Sequence, residues 1–228
     1  SLACLALCGG MIVAQTTAPT GRAVEAGNAR GELKSAGSEQ KAPEAPKTVH
    51  QLFVEDQDDL RGPDGKPKFT EEEYRERVKV RQATLRGMLA AGGVKTGDDF
   101  MDAAYLFQHS DDADDCLFAH ILAVEAVFRG TTSARFIAAA TLDRYLQFTK
   151  HPQIFGTQYI TDRNVPLPAG SGATPIPFGR TLEPYNDSFL PDYVRTDFCV
   201  PTLAQQHENV VLFNHGKWPR ETMHPRCD

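Results

Sequence analysis

The strongest constraint on the fold lies mid-chain. From about Asp115 to Phe128, the residues Leu117, Phe118, Ile121, Leu122, Val124, Val127 and Phe128 fall on more than one side of a helix. A surface helix needs only one apolar stripe, so a helix apolar on several sides must be packed on several sides. This run predicts a central helix ending at Gly130, and the remaining elements must surround it.

The flanking segments supply those elements. Leu52, Phe53 and Leu60 recur at roughly helical spacing in Val49–Leu60, before Gly62-Pro63-Asp64-Gly65 turns the chain. Thr70-Glu71-Glu72-Glu73 is a capping box, in which Thr70 caps the third amide of the helix and Glu73 reaches back. Tyr74, Val78, Leu85, Met88 and Leu89 follow on one face as far as Gly92-Gly93. Thr96-Gly97-Asp98-Asp99 opens a third helix with acids at its positive end and Phe100, Ala103, Ala104 and Phe107 on its inner face. Thr131 or Thr132 is placed to cap a helix carrying Phe136, Ile137, Ala140, Tyr145 and Phe148, which His151-Pro152 ends. A last helix is expected around Pro201–Phe213. Residues 160–192, rich in proline and glycine, read as one long irregular loop with at most short extended pieces, and no strand alternation is strong enough to build a sheet. The expected fold is mainly α: a single compact domain of about five to six helices over residues 48–213, with that loop and a tail, 214–228.

The chain has 228 residues and a net charge of −6, with 41% hydrophobic and 24% charged residues. Those proportions fit one globular domain. An acidic balance without a Lys/Arg block argues against nucleic-acid binding. Leu2–Ala14 is uncharged and apolar, the length of the hydrophobic region of a secretory leader and short of the roughly twenty residues of a membrane span. Export follows, to a periplasmic or secreted location, with residues 1–14 the leader and no membrane span in the mature chain. A buried N-terminal helix or strand is the alternative for that stretch, and Cys4 or Cys8 is the place for a lipid anchor. Residues 15–47 have almost no bulky apolar side chain and read as a flexible linker. Past the leader, Cys116 reads as a buried small hydrophobe, and Cys199 and Cys227 could pair.

Several polar residues interrupt apolar faces or helix ends: Glu55-Asp56-Gln57 with Asp59, Gln108-His109-Ser110-Asp111, Asp143-Arg144, and Gly156-Thr157-Gln158. Each has a plain structural role available. Glu55–Asp59 can be a solvated face, Asp111–Asp115 an acidic capping segment, Asp143 the partner of a lysine, and His120 a satisfied core residue.

Taken in order, these segments resemble a bacterial family, the domain of unknown function numbered 6624. Its members share a D-Q pair, an A-W-L-L-x-Q-H-A-D segment, a D-R pair and a Q-x-Y-G-T-Q segment. Here these are Asp56-Gln57, Ala103 to Asp111, Asp143-Arg144 and Gln153 to Gln158. Val194-Arg195 to Leu203 is similar to the family's closing R-x-x-x-G-[LV]-P-x-L stretch. The likeness spans residues 48–208. Tyr105 replaces the usual Trp, Phe155 the usual Tyr, and Cys199 a frequent Gly. The resemblance carries no reaction with it, and implies only that the polar residues belong to one set.

If they converge, His109 is the natural general acid or base, since it alone among them titrates near neutral pH. Asp56 or Asp111 would orient it. Arg144 would hold an anionic group, and Gln57, Gln108 and Gln158 would position a small polar substrate by hydrogen bonds. No serine elbow is present, and no cofactor is called for. A metal held by His109, Asp111 and Asp56, or with Asp115, rests on a weak H-x-D pattern. The competing expectation is a non-catalytic module binding a protein partner through the 160–192 loop, its buried Gln, Asp and Arg forming a structural network. An open cleft lined by His109, Arg144 and Gln158 would favour the site. Burial and mutual pairing would favour the network.

Overall fold

The computed structural model describes residues 47–60, 68–168 and 178–219. The leader, the cysteines at 4 and 8, nearly all of the linker, the 62–65 turn and Cys227 lie outside the described residues. The domain is mainly helical. Seven helices and one two-stranded sheet occur among the described residues, in the order α1 (Val49–Leu60), α2 (Glu71–Ala90), α3 (Gly97–Gln108), α4 (Ala113–Phe128), α5 (Ala134–Phe148), β1 (Ile160–Pro166), β2 (Phe178–Thr181), α6 (Asp192–Asp197) and α7 (Leu203–Asn214).

Helices α3, α4 and α5 pack in succession, with α4 between its neighbours. Their contact faces are built from small residues: Ala103 and Ala104 of α3, Cys116, Ala119, Ala123 and Ala126 of α4, and Ala134, Ala138 and Ala139 of α5 are all buried. Small side chains let the backbones approach closely, and Leu106, Phe107, Leu122 and Ile137 fill the remaining space. Burying one such large side chain contributes about 1.5–3 kcal/mol. Helix α1 lies against α3, and α2 touches both. Helix starts follow the capping signals. Thr70 with Glu73, Thr96 with Asp99, and Thr202 with Gln205 form complete capping boxes, and Asp112 caps α4 through the Asp114 and Asp115 amides.

Three sequence expectations need correction. The helix count exceeds five to six because the short α6 starts at the last residue of the 160–192 stretch expected to be loop and runs beyond it. That stretch also holds an antiparallel hairpin, pairing Ile160 with Thr181 and Pro166 with Phe178 across an irregular register. The hairpin was illegible because an irregular register destroys the period-two alternation from which strands are read. Neither Thr131 nor Thr132 caps α5: Ser133 precedes it without a side-chain cap, and the Thr131 hydroxyl donates to Asp98 Oδ1 at 3.0 Å, tying the α4–α5 turn to the start of α3. The hairpin packs on α7, where Asn214 bridges both backbone groups of Arg180 and Phe213 meets Tyr159 and Trp218.

Candidate functional site

Two buried polar assemblies contain the residues singled out above. The first joins α1, α2 and the end of α3. Asp56 is 1% exposed on the inner side of α1. Its Oδ2 lies 2.7 Å from His109 Nδ1, and its Oδ1 accepts from Arg81 Nη1 at 3.1 Å and from the Tyr74 hydroxyl at 3.3 Å. The His109 tautomer with its proton on Nδ1 is the one that can donate to an ionised Asp56. The Tyr74 hydroxyl, 3.1 Å from the same nitrogen, then has Asp56 as the group to which it can donate. His109 is brought here because it ends α3 as the C-cap residue, and its side chain is buried. One turn along α1, Asp59 accepts from Arg77 Nε at 2.6 Å and from Arg81 Nη2. The solvated-face reading of Glu55–Asp59 therefore holds for Glu55, which pairs with Lys47, and fails for Asp56 and Asp59.

The second assembly anchors the irregular chain after α5. Asp143 is 0% exposed, and among the described residues backbone amides and a hydroxyl, not a lysine, are its partners. Its Oδ1 accepts from the Ile154 and Phe155 amides at 2.8 and 3.0 Å, and its Oδ2 from the Thr157 amide and hydroxyl at 2.9 and 2.8 Å. Burial pushes this carboxyl above the usual carboxylate range, against the opposing pull of those four donors. The Gln158 side-chain amide donates to the Ala140 carbonyl and to Thr157 Oγ1, both at 3.1 Å. Gln153 holds both backbone groups of Gln158, and its side-chain amide also donates to the Leu182 carbonyl. Gln206 of α7 donates to the Phe155 and Pro201 carbonyls and accepts from the Tyr185 hydroxyl at 2.7 Å. Arg195, 2% exposed, donates to Tyr185 Oη, Asp192 Oδ1 and the Asp187 carbonyl. Burial also raises the Tyr159 and Tyr185 phenols above their usual value.

Gly156 sits inside this second assembly at φ +81°, where a Cβ would collide with the Gln206 carboxamide. Gly156→Ala should cost about 2–4 kcal/mol, from left-handed backbone strain plus displacement of Gln206. Urea unfolding followed by circular dichroism measures it.

The predicted site residues thus divide. Asp56 and His109 meet, with Gln57 alongside at 3.5 Å from Asp56 Oδ2. Asp111 is elsewhere: two-thirds exposed, it faces Arg75 at 3.2 Å. Asp115 pairs with Arg86 and accepts from Ser110. Among the described residues, no group of three or more His, Cys, Asp or Glu side chains could hold a metal ion. Arg144 and Gln108 are buried, and Arg144 Nη1 donates to the Gln108 carbonyl at 2.5 Å, binding α5 to the negative end of α3. Gln158 belongs to the second assembly. A surface depression lined by Phe69, Glu72, Glu73, Glu76 and Arg77 contains none of these residues.

Tyr74, Arg77 and Arg81 were missed in the sequence. Their signal was present: Tyr74, Val78, Arg81 and Leu85 recur at spacings of four, three and four, so Arg81 occupies the apolar face of α2. An arginine there needs a buried acid, and Asp56 with Asp59 supplies two. Among cysteines, Cys116 is buried and Cys199 is disulfide-bonded. No helix among the described residues is long and apolar enough to cross a membrane. No family model, curated protein or solved structure matches the chain.

Proposed function

We propose that this chain is an exported, non-catalytic interaction module whose polar motifs hold an irregular binding region rigid. The observation that carries this reading is the Asp143 carboxylate, spent entirely inside the protein on three backbone amides and one hydroxyl of residues 154–157. Gln153, Gln158, Gln206 and Arg195 extend the same scaffold to residues 182–187, beyond which Phe189 and Tyr193 stand 59% and 69% exposed. Those aromatics suit a protein partner. The Cys199 disulfide supports an oxidising compartment, and with it the leader read in residues 1–14. Cys199 also takes a left-handed backbone at φ 58°, which suits a position that the resembling family often fills with glycine, and this supports placing the chain in that family.

A second reading keeps His109 as a general base acting on a small polar or anionic substrate, favoured by its 2.7 Å contact with Asp56. His109→Gln separates the two. The network reading expects a loss of about 1–3 kcal/mol, a fall of roughly 3–10 °C in Tm, and no change across a panel of chromogenic ester, phosphate and glycoside substrates. A variant that melts like the wild type and loses a hydrolytic activity the wild type shows would overturn it.

A further inference from the structure

The stretch from Glu183 to Asp197 presents two aromatic rings, Phe189 and Tyr193, and charge of one sign to solvent. Glu183, Asp187, Asp192 and Asp197 are its acids, all exposed, and Arg195, its one base, is buried. Two of the acids are engaged inside the chain. Asp192 Oδ1 pairs with Arg195 at 3.0 Å, and Glu183 Oε2 accepts from the Tyr185 amide at 2.9 Å. The other two are not. The main-chain carbonyls of Asp187 and Asp197 accept from Arg195 and Arg135, but among the described residues no hydrogen bond or ion pair takes either carboxylate. Each of these acids lies beside one of the rings. Tyr193 and Asp197 are four apart on α6 and so share a face, while Arg195 falls on the opposite side. Asp187 and Phe189 share the turn in which the Phe189 amide donates to the Asn186 carbonyl at 3.2 Å, and the Arg195 guanidinium ties that turn to α6 through the Asp187 carbonyl.

We infer that this surface takes a basic segment of a partner protein, whose Lys or Arg side chains lie on Phe189 and Tyr193 and meet the Asp187 and Asp197 carboxylates. The inference rests on the interaction-module reading above and names the chemistry of its partner. An aromatic face attracts a cation and covers its methylene stem, and a carboxylate one helical turn away supplies the counter-charge for its tip. An uncharged apolar partner would strip water from two carboxylates and give them nothing in exchange. An acidic partner would meet like charge. A basic one satisfies the rings and the acids together, and the net charge of −6 draws it in from a distance. The surface is also held in place beforehand. Arg195 donates to the Tyr185 hydroxyl, which donates in turn to Gln206 of α7, so little chain has to be ordered on binding.

Heteronuclear NMR titration of the full chain tests it with three hexapeptides, each a tryptophan followed by five arginines, five serines or five glutamates. The arginine peptide should shift the amide signals of residues 187–197 with a dissociation constant on the order of 0.1–1 mM, and the other two should bind at least about tenfold more weakly. Asp187→Asn combined with Asp197→Asn, and Phe189→Ala combined with Tyr193→Ala, should each weaken the arginine peptide by about five- to tenfold. All four side chains are exposed, so signals elsewhere should keep their positions. Glu72→Gln combined with Glu76→Gln, on α2, should leave binding unchanged, which separates this surface from a general attraction to acid. A serine or glutamate peptide that binds residues 187–197 as tightly as the arginine peptide overturns the basic partner and leaves the interaction surface standing. An arginine peptide indifferent to the two asparagines, or one that leaves residues 187–197 unshifted up to about 5 mM, also overturns it. Failure of the interaction-module reading itself is read separately, as the hydrolytic activity lost in His109→Gln.

Discussion

Asp143→Ala should lower the unfolding free energy by about 3–5 kcal/mol, among the largest effects of any single substitution in this protein. The aspartate is fully buried, and removing it strands the Ile154, Phe155 and Thr157 amides and the Thr157 hydroxyl away from water. Each orphaned donor costs on the order of 1–3 kcal/mol, less whatever the loop recovers by moving toward solvent. Urea unfolding gives the energy. Hydrogen exchange gives the place: protection should fall first at residues 154–157. Asp143→Asn adds a pH signature. Because burial raises the aspartic carboxyl, the folded state holds its proton more tightly than the unfolded chain, whose value is about 3.9. That contribution is full below the unfolded value and is lost as pH rises through the folded one. The stability difference between wild type and Asp143→Asn should therefore shift in favour of the wild type as pH falls from neutral toward 4. A difference constant across that range would show that the carboxyl is not raised.

The helices were legible because their signals are local. Thr70 with Glu73 and Thr96 with Asp99 mark helix starts within four residues, and both boxes form. Gln108 lies one turn beyond Ala104 on the face that carries Ala103, Ala104 and Phe107, and it is buried. What failed was long-range. Asp56 and Asp59 look like a solvated run until Arg77 and Arg81, some twenty residues on, turn out to face them. Asp143 reads as half of an ion pair because backbone amides of a later loop, its true partners, leave no trace in side-chain identity. Asp111 reads as a second candidate to orient His109, but α3 ends at Gln108 and the chain turns, carrying Asp111 out toward Arg75. Sequence order could group the polar motifs, but it could not show that Asp56 and Gln158 serve different assemblies.

Arg81 is where the first assembly is most vulnerable. Arg81→Met should cost about 3–5 kcal/mol at neutral pH, because the guanidinium neutralises two buried carboxylates at once, Asp56 through Nη1 and Asp59 through Nη2. Arg81→Lys should recover little, since one ammonium cannot span both acids as the planar fork does. Removing the charges together is a different matter. Combining Arg81→Met with Asp56→Asn and Asp59→Asn leaves no buried ion without a partner, and most of the loss should return, because the penalty comes from the stranded charge more than from the missing bond. Differential scanning calorimetry of the three proteins decides this, and a triple variant less stable than Arg81→Met would refute the account. The series also isolates His109. In Arg81→Met the 2.7 Å contact with Asp56 keeps its carboxylate, whereas the triple variant replaces it with a carboxamide. A function that survives the first substitution and fails in the stable triple variant would belong to the His109–Asp56 pair itself, and one that simply tracks the melting temperature would belong to the packing of α1 on α2.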